Sequence, residues 1–189
     1  MTDRPILFSA PMVRAILAGT KTQTRRVAKG TALDWLSGPS GFNAEFVALP
    51  ENGLCPYGKP GDRLWVREAF YREFDRAPQS DEERLEWVES GYLAYRASDE
   101  QPYGSGGMLP WKPSIHMPRW ASRIMLEVTG VRVERLHDIS ESDAQTEGPP
   151  KNFNSWRDNF CALWQQINGA GSWNANPWVW VVEFKRVQP

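Results

Sequence analysis

The chain has 189 residues, 41% of them hydrophobic and 24% charged, the balance of a globular protein built on one ordinary core. A formal net charge of −1 excludes a global attraction to nucleic acid or to an anionic membrane, so any such contact must come from a local patch. Two cysteines, Cys55 and Cys161, and two histidines, His116 and His137, are too few and too scattered for a disulfide framework or a zinc site.

No metal and no cofactor is therefore expected, and two free thiols point to a reducing cytoplasm. The opening residues lead to Pro11 after only a short apolar stretch, too short for a signal peptide. No apolar run approaches the roughly 20 residues that span a bilayer, so no membrane partner is expected. The 10 tryptophans are the compositional oddity, suited to core and pocket walls or to stacking on bases.

Pro5 to Ala10 reads as a short strand. Pro11 suits the first turn of a helix capped by Ser9 or Ala10, with Met12, Val13, Ile16 and Leu17 at helical spacing and Gly19 as its stop. Directly behind it comes Gly19-Thr20-Lys21-Thr22-Gln23-Thr24-Arg25-Arg26, with three cations, three hydroxyls and no acid. Such an array of donors suits a phosphate, an electron-rich group or a reaction that develops negative charge. In a plain strand Lys21 would face away from Thr24, because residues three apart point oppositely; a turn around them is needed to bring both to one place. Arg26 shares strand parity with Thr24.

Residues 29–60 are rich in Gly, Pro, Ser and Asn without a sustained period and read as a long loop or insertion. Pro60-Gly61-Asp62 launches a strand over Arg63 to Tyr71. Leu64, Val66 and Glu68 share one of its faces, so Glu68 needs an arginine partner. Residues 72–118 read as a second insertion, with a helical turn over 81–87, a strand over 91–97 and a flexible link from Gly104 to Gly107. The Trp111 to Arg123 segment carries Ser114 and His116 between two prolines and Arg119 and Arg123 after them, donors that line a pocket or hold phosphate.

Alternation returns from Ile124 to Leu136, with Gly130 as a bulge. Ser140 and Asp143 form a capping box for a short helix running to Glu147, where Gly148-Pro149-Pro150 stops it. A further helix over 155–167 places Trp156, Phe160, Leu163, Trp164 and Ile167 on one face, and residues 176–187 end the chain as a strand. These elements predict a single α+β domain over 1–189: a small mixed β-barrel with helices packed at its ends and two loop-rich insertions, the terminal strands pairing or closing the sheet.

Four passages together resemble the ASCH family, whose fold is a β-barrel related to the PUA RNA-binding domain. They are Ile6 to Val13 with Ala18 to Arg26, Gly61 to Glu68, Ile139 to Gly148, and the terminal strand Trp178 to Val187. The pattern of G-x-K-T-x-T-x-R followed by A-x-x-E is similar to that of the longer phage and prophage members, which carry insertions like those at 29–60 and 72–118. The resemblance implies several functions. Compact bacterial members hydrolyse the amide of N4-acetylcytidine through a Lys/Thr/Glu set, which matches Lys21, Thr24 and Glu147, with the family arginine at Arg26. Other members are ribonucleases, and the PUA kinship implies RNA binding without chemistry.

Amide hydrolysis needs a nucleophile, a proton shuttle and support for the oxyanion. Thr24 is the nucleophile or orients a water. Lys21 is a base if its pKa is depressed, or a cation facing the oxyanion if it is not. Glu147 carries a proton to the leaving amine. Arg25, Arg26, Ser9, Glu68, Ser114, Arg119 and Arg123 are the candidate substrate-binding residues. The partner is then a modified nucleoside or RNA. A non-catalytic module would instead use Lys21, Arg25, Arg26 and Arg119 as an anion patch, with a tryptophan as its platform.

Overall fold

Two long alternating stretches decide the centre of the molecule. In a computed structural model, which describes residues 2–39, 41–98, 103–104, 107–108 and 110–187, they form neighbouring antiparallel strands with apolar side chains on both faces. The first part of the chain supplies β1 (Asp3–Leu7), α1 (Ala10–Leu17), β2 (Gln23–Val27), α2 (Thr31–Ser37), α3 (Ala44–Ala48) and β3 (Arg63–Arg67). Then follow β4 (Phe70–Arg72), α4 (Asp81–Glu89), β5 (Leu93–Tyr95), β6 (Tyr103–Gly104) and β7 (Gly107–Met108). The last part holds β8 (Met125–Arg135), α5 (Glu141–Thr146), α6 (Trp156–Asn168) and β9 (Trp178–Val187).

The main sheet is mixed, in the order β1-β3-β8-β9-β2, with β1 parallel to β3 and every other pair antiparallel. The architecture is α+β, as the pattern predicts. The terminal strands, however, do not pair with each other. β1 pairs with β3, and β9 lies between β8 and β2. The two sheet edges are β1 and β2, and the Arg26 side chain reaches from one to the Leu7 carbonyl of the other. Parity explains the choice: β9 is apolar on both faces, which suits a strand buried between two neighbours and not an edge.

Those two faces serve two cores. Trp180, Val182 and Phe184 join Ile6, Phe8, Met12 and Leu64 on one side, while Val179 and Val181 meet Leu136, Ala144, Phe160 and Trp164 on the other. The register of β8 shifts between Val128 and Gly130, the bulge expected there.

The 29–60 segment is not a loop. Ala32 and Leu36 of α2 and Val47 of α3 are buried in the first core, and Trp35, Phe42 and Phe46 cluster beside them. Helices this short span too few turns to leave a readable period among so many Gly and Pro residues. The 72–118 segment carries α4 and β5, and β5 pairs with β4, which leads into the segment; together they build a separate cluster from Phe70, Trp87, Leu93, Tyr95 and Met117. Of the expected flexible link, Gly104 and Gly107 pair in a small ribbon; residues 105 and 106 lie outside the described residues.

Candidate functional site

Three polar groups follow α1 in a fixed order because the helix ends abruptly. Gly19, at a φ of +73°, turns the chain back, and the amides of Thr20 and Lys21 both donate to the Ala15 carbonyl. Lys21 thus precedes β2 and is freed from strand alternation, which is the turn the spacing demanded. The edge strand then lies against the C-terminal end of α5. The Thr22 amide donates to the Thr146 carbonyl and the Gln23 side-chain amide to the Asp143 carbonyl. The Thr146 carbonyl belongs to the helix end, whereas the Asp143 carbonyl also accepts from the Glu147 amide within α5.

Lys21 completes that pattern. Its Nζ donates to the Glu147 carbonyl at 2.7 Å, the Gln23 carbonyl at 2.8 Å and Glu147 Oε2 at 2.9 Å. All three ammonium protons are committed. Burial pushes the Lys21 pKa below its ordinary value; Glu147 opposes the shift, and Arg26 and Arg25 add to it.

Glu147, buried at the end of α5, faces two cations, because its other oxygen accepts from Arg25 Nη1 at 3.1 Å. Gly148 lets it approach: its φ is +68°, and a Cβ there would stand 3.0 Å from Cβ of both Lys21 and Ala15. Arg25 points to the face opposite Thr24, where its Nε and Nη2 donate to Glu134 at 3.0 and 2.5 Å. Its Nη2 also reaches Asp143 at 3.1 Å. Arg132 ties Glu134 and Asp143 together at 3.0 Å each and pairs with Glu183.

The basic motif is therefore not an anion patch. Lys21 and Arg25 are neutralised by carboxylates more than a hundred residues away in sequence. The predicted capping box is half made: the Ser140 hydroxyl accepts from the Asp143 amide, but the Asp143 carboxylate is spent on Arg25 and Arg132.

Beside this network lies a cavity of about 300 Å³. Lys21, Thr24, Arg25, Arg26 and Glu147 form its polar side, and Ser9 borders it from the cap position of α1. Its apolar walls are Phe8 and Met12 on one side and Phe160, Leu163 and Trp164 on the other. Lys21 Nζ and the Arg26 guanidinium stand 5.6 and 5.3 Å from the centre of the Phe8 ring. Thr24 is buried, and its hydroxyl has no hydrogen-bond partner among the described residues. Arg26 donates to the carbonyls of Leu7 at 2.9 Å and Arg25 at 3.2 Å and has no carboxylate partner among the described residues.

The other candidates do not reach this cavity. Glu68 is 1% exposed and held by Arg123 through two bonds of 2.9 and 3.1 Å, the arginine partner its strand face required. Arg123 also donates to Ser98 and lies 4.1 Å over the Tyr95 ring. Arg119 pairs with Asp3 at 3.3 Å and sits over Trp65. Ser114 opens a short 3-10 turn over Ser114–His116. Glu68 directly follows β3, and the other three lie in the 114–123 stretch, whose Met117, Trp120 and Ala121 pack in the separate cluster with Phe70, Trp87 and Tyr95. Among the described residues no His, Cys, Asp and Glu group is arranged to hold a metal, and no helix is long and apolar enough to cross a membrane.

Sequence reasoning missed Glu134, Arg132, Glu183 and the aromatic walls Phe8 and Phe160. Asp143 was legible only as a helix cap, and the apolar face of α6 only as core.

No family model matches the sequence, and no curated protein matches it. Among solved structures the chain is similar to a high-resolution crystal structure of an ASCH domain from Lactobacillus crispatus JV V101. That match has a TM-score of 0.43 and 14% identity, covering 100% of this chain and 81% of that one. The likeness is to an ASCH domain. A protein from Enterococcus faecalis V583, described by family model DUF984, is similar at a TM-score of 0.42 and 12% identity, with the same coverage of 100% and 81%.

Proposed function

We propose that the Lys21/Thr24/Glu147 site hydrolyses an N-acyl amide on a cytosine-like base, as in N4-acetylcytidine. The observation that carries the reading is the buried Lys21–Glu147 pair opening, together with the unpartnered Thr24 hydroxyl, onto one aromatic-walled cavity of about 300 Å³. That volume and those flat apolar walls suit a single planar ring. A pure binding site has no use for a buried acid there, and the cations a phosphate would need, Lys21 and Arg25, are already saturated.

With every proton committed, Lys21 has none left for an oxyanion; its role is proton transfer. Burial brings the neutral amine within reach, so a proton passes from Lys21 to Glu147 Oε2 across 2.9 Å. The free amine then takes the Thr24 proton as the hydroxyl oxygen attacks the acyl carbon. Arg26, with no carboxylate partner among the described residues, faces the developing oxyanion. Glu147 gives its proton to the leaving nitrogen, the C–N bond breaks, and the acyl group rests on Thr24 as an ester. Water, deprotonated by the same pair, attacks the ester and releases the carboxylic acid and the Thr24 hydroxyl. The balance is one amide and one water in, one acid and one amine out.

The test is chromatographic detection of cytidine from N4-acetylcytidine, with Lys21→Ala and Glu147→Gln alongside. Release by the wild type and by neither variant supports the assignment. A folded wild-type protein that releases none removes it.

A further inference from the structure

The substrate cavity does not end at Arg26. A second cleft, of about 520 Å³, begins there: Arg26, Val27 and Asn168 line both, and the cleft continues along Lys29, Gly30 and Tyr57. Its far wall comes from the 29–60 segment, which the chain places over the end of β2. Among the described residues no carboxylate borders it. Lys29 is exposed and has no ion pair among the described residues, and the Tyr57 hydroxyl stands beside the Arg26 guanidinium. The cleft therefore differs from the Lys21–Arg25 network in the one respect that matters for an anion: its cations have no carboxylate partner among the described residues.

We propose that this cleft binds a phosphate attached to the ribose of the substrate, so that the site acts on a phosphorylated nucleoside in preference to the free one. This rests on the reading of the first cavity as a base pocket. With the base between Phe8 and Trp164, the ribose sits at the neck formed by Arg26, Val27 and Asn168. The phosphate then reaches Lys29 and the Tyr57 hydroxyl, and a cationic donor without a competing acid is the recognition element a phosphate requires. The same chemistry serves a mononucleotide and a nucleotide within an RNA strand.

The experiment measures dissociation constants for cytidine, its 5′- and 3′-monophosphates and a cytidine-centred RNA trinucleotide, by calorimetry on the wild type, Lys29→Ala and Lys29→Glu. N4-acetylcytidine turnover is measured in parallel. A phosphorylated ligand is expected to bind about tenfold more tightly than cytidine, an advantage lost in Lys29→Ala and reversed in Lys29→Glu. Turnover of the free nucleoside should be unchanged by Lys29→Ala. A monophosphate that matches the trinucleotide assigns the cleft to mononucleotides; a trinucleotide that exceeds both monophosphates assigns it to RNA. Equal binding of cytidine and all three phosphorylated ligands, no binding of any, or an advantage that survives Lys29→Glu overturns the proposal. Phosphate preference without amide hydrolysis would remove the proposed reaction and leave the cleft standing, and hydrolysis without preference would do the converse.

Discussion

Lys21 Nζ and Glu147 Oε2 stand 2.9 Å apart inside the protein, with side-chain exposures of only 2% and 4%. An ammonium and a carboxylate this dry are held by each other and by the carbonyls and guanidinium around them. The same pair joins the end of α5 to the edge of the sheet, so it is at once a structural clasp and the acid–base centre of the proposed reaction.

Glu147→Gln leaves Lys21 buried with no carboxylate, at an expected cost of about 3–5 kcal/mol; Lys21→Met leaves Glu147 with Arg25 alone and should cost less. Urea unfolding of both single variants and of the double variant tests this. The double variant should be less destabilised than the sum of the singles by at least about 1 kcal/mol. Strict additivity would mean that the pair does not interact.

Burial favours the neutral amine, so Lys21 deprotonates at a pH below its ordinary 10.5. The shared proton of the pair is lost as the pH rises through that depressed value, and kcat/KM for amide hydrolysis should fall there. A pH–rate profile without an alkaline limb below 10.5 would exclude Lys21 from the proton relay. Stability moves the other way. Between the depressed value and 10.5 the unfolded chain binds more protons than the folded one, so the wild type gains stability relative to Lys21→Met as the pH rises.

Gly148→Ala forces a Cβ into a residue at φ +68° and to 3.0 Å from Lys21 Cβ. We expect a loss of about 1–3 kcal/mol, seen as a lower Tm. Because the strain falls between Glu147 and Lys21, kcat should drop more than the loss of folded protein explains. Unchanged kcat per folded molecule would separate the clasp from the chemistry.

Arg123→Met strands Glu68, a carboxylate that is 1% exposed, and should cost about 3–5 kcal/mol. As the pair lies away from the cavity, kcat/KM per folded molecule should stay within about twofold of the wild type. A larger loss would return Glu68 and Arg123 to the substrate site.

Leu163→Ala removes part of the apolar wall contributed by α6 while leaving the polar residues in place. KM should rise several-fold, in proportion to roughly 1–2 kcal/mol of lost apolar contact, with a smaller change in kcat. A change in kcat alone would contradict the assignment of α6 to binding.

The sequence by itself determined the local elements and the composition of the motif. Proline and glycine punctuate α1, alternation marks β8 and β9, and the Gly19 stop forces the turn that frees Lys21 from strand parity. All of these depend on residues within a few positions of one another, where sterics and capping act. The arginine partner of Glu68 was legible too, since a carboxylate on an apolar strand face has few alternatives. Only the tertiary structure decided which partner that was, and which acids meet the basic motif. Glu134, Asp143 and Glu147 lie more than a hundred residues beyond Lys21 and Arg25, and they arrive because β2 takes the edge beside β9 and the end of α5 docks against it. A charge's partner depends on distance in space, and neither composition nor period encodes which edge of a sheet a strand will occupy. That placement turned an apparent anion patch into a neutralised pair, left Arg26 and Lys29 without a carboxylate partner among the described residues, and moved Ser114 and Arg119 away from the cavity.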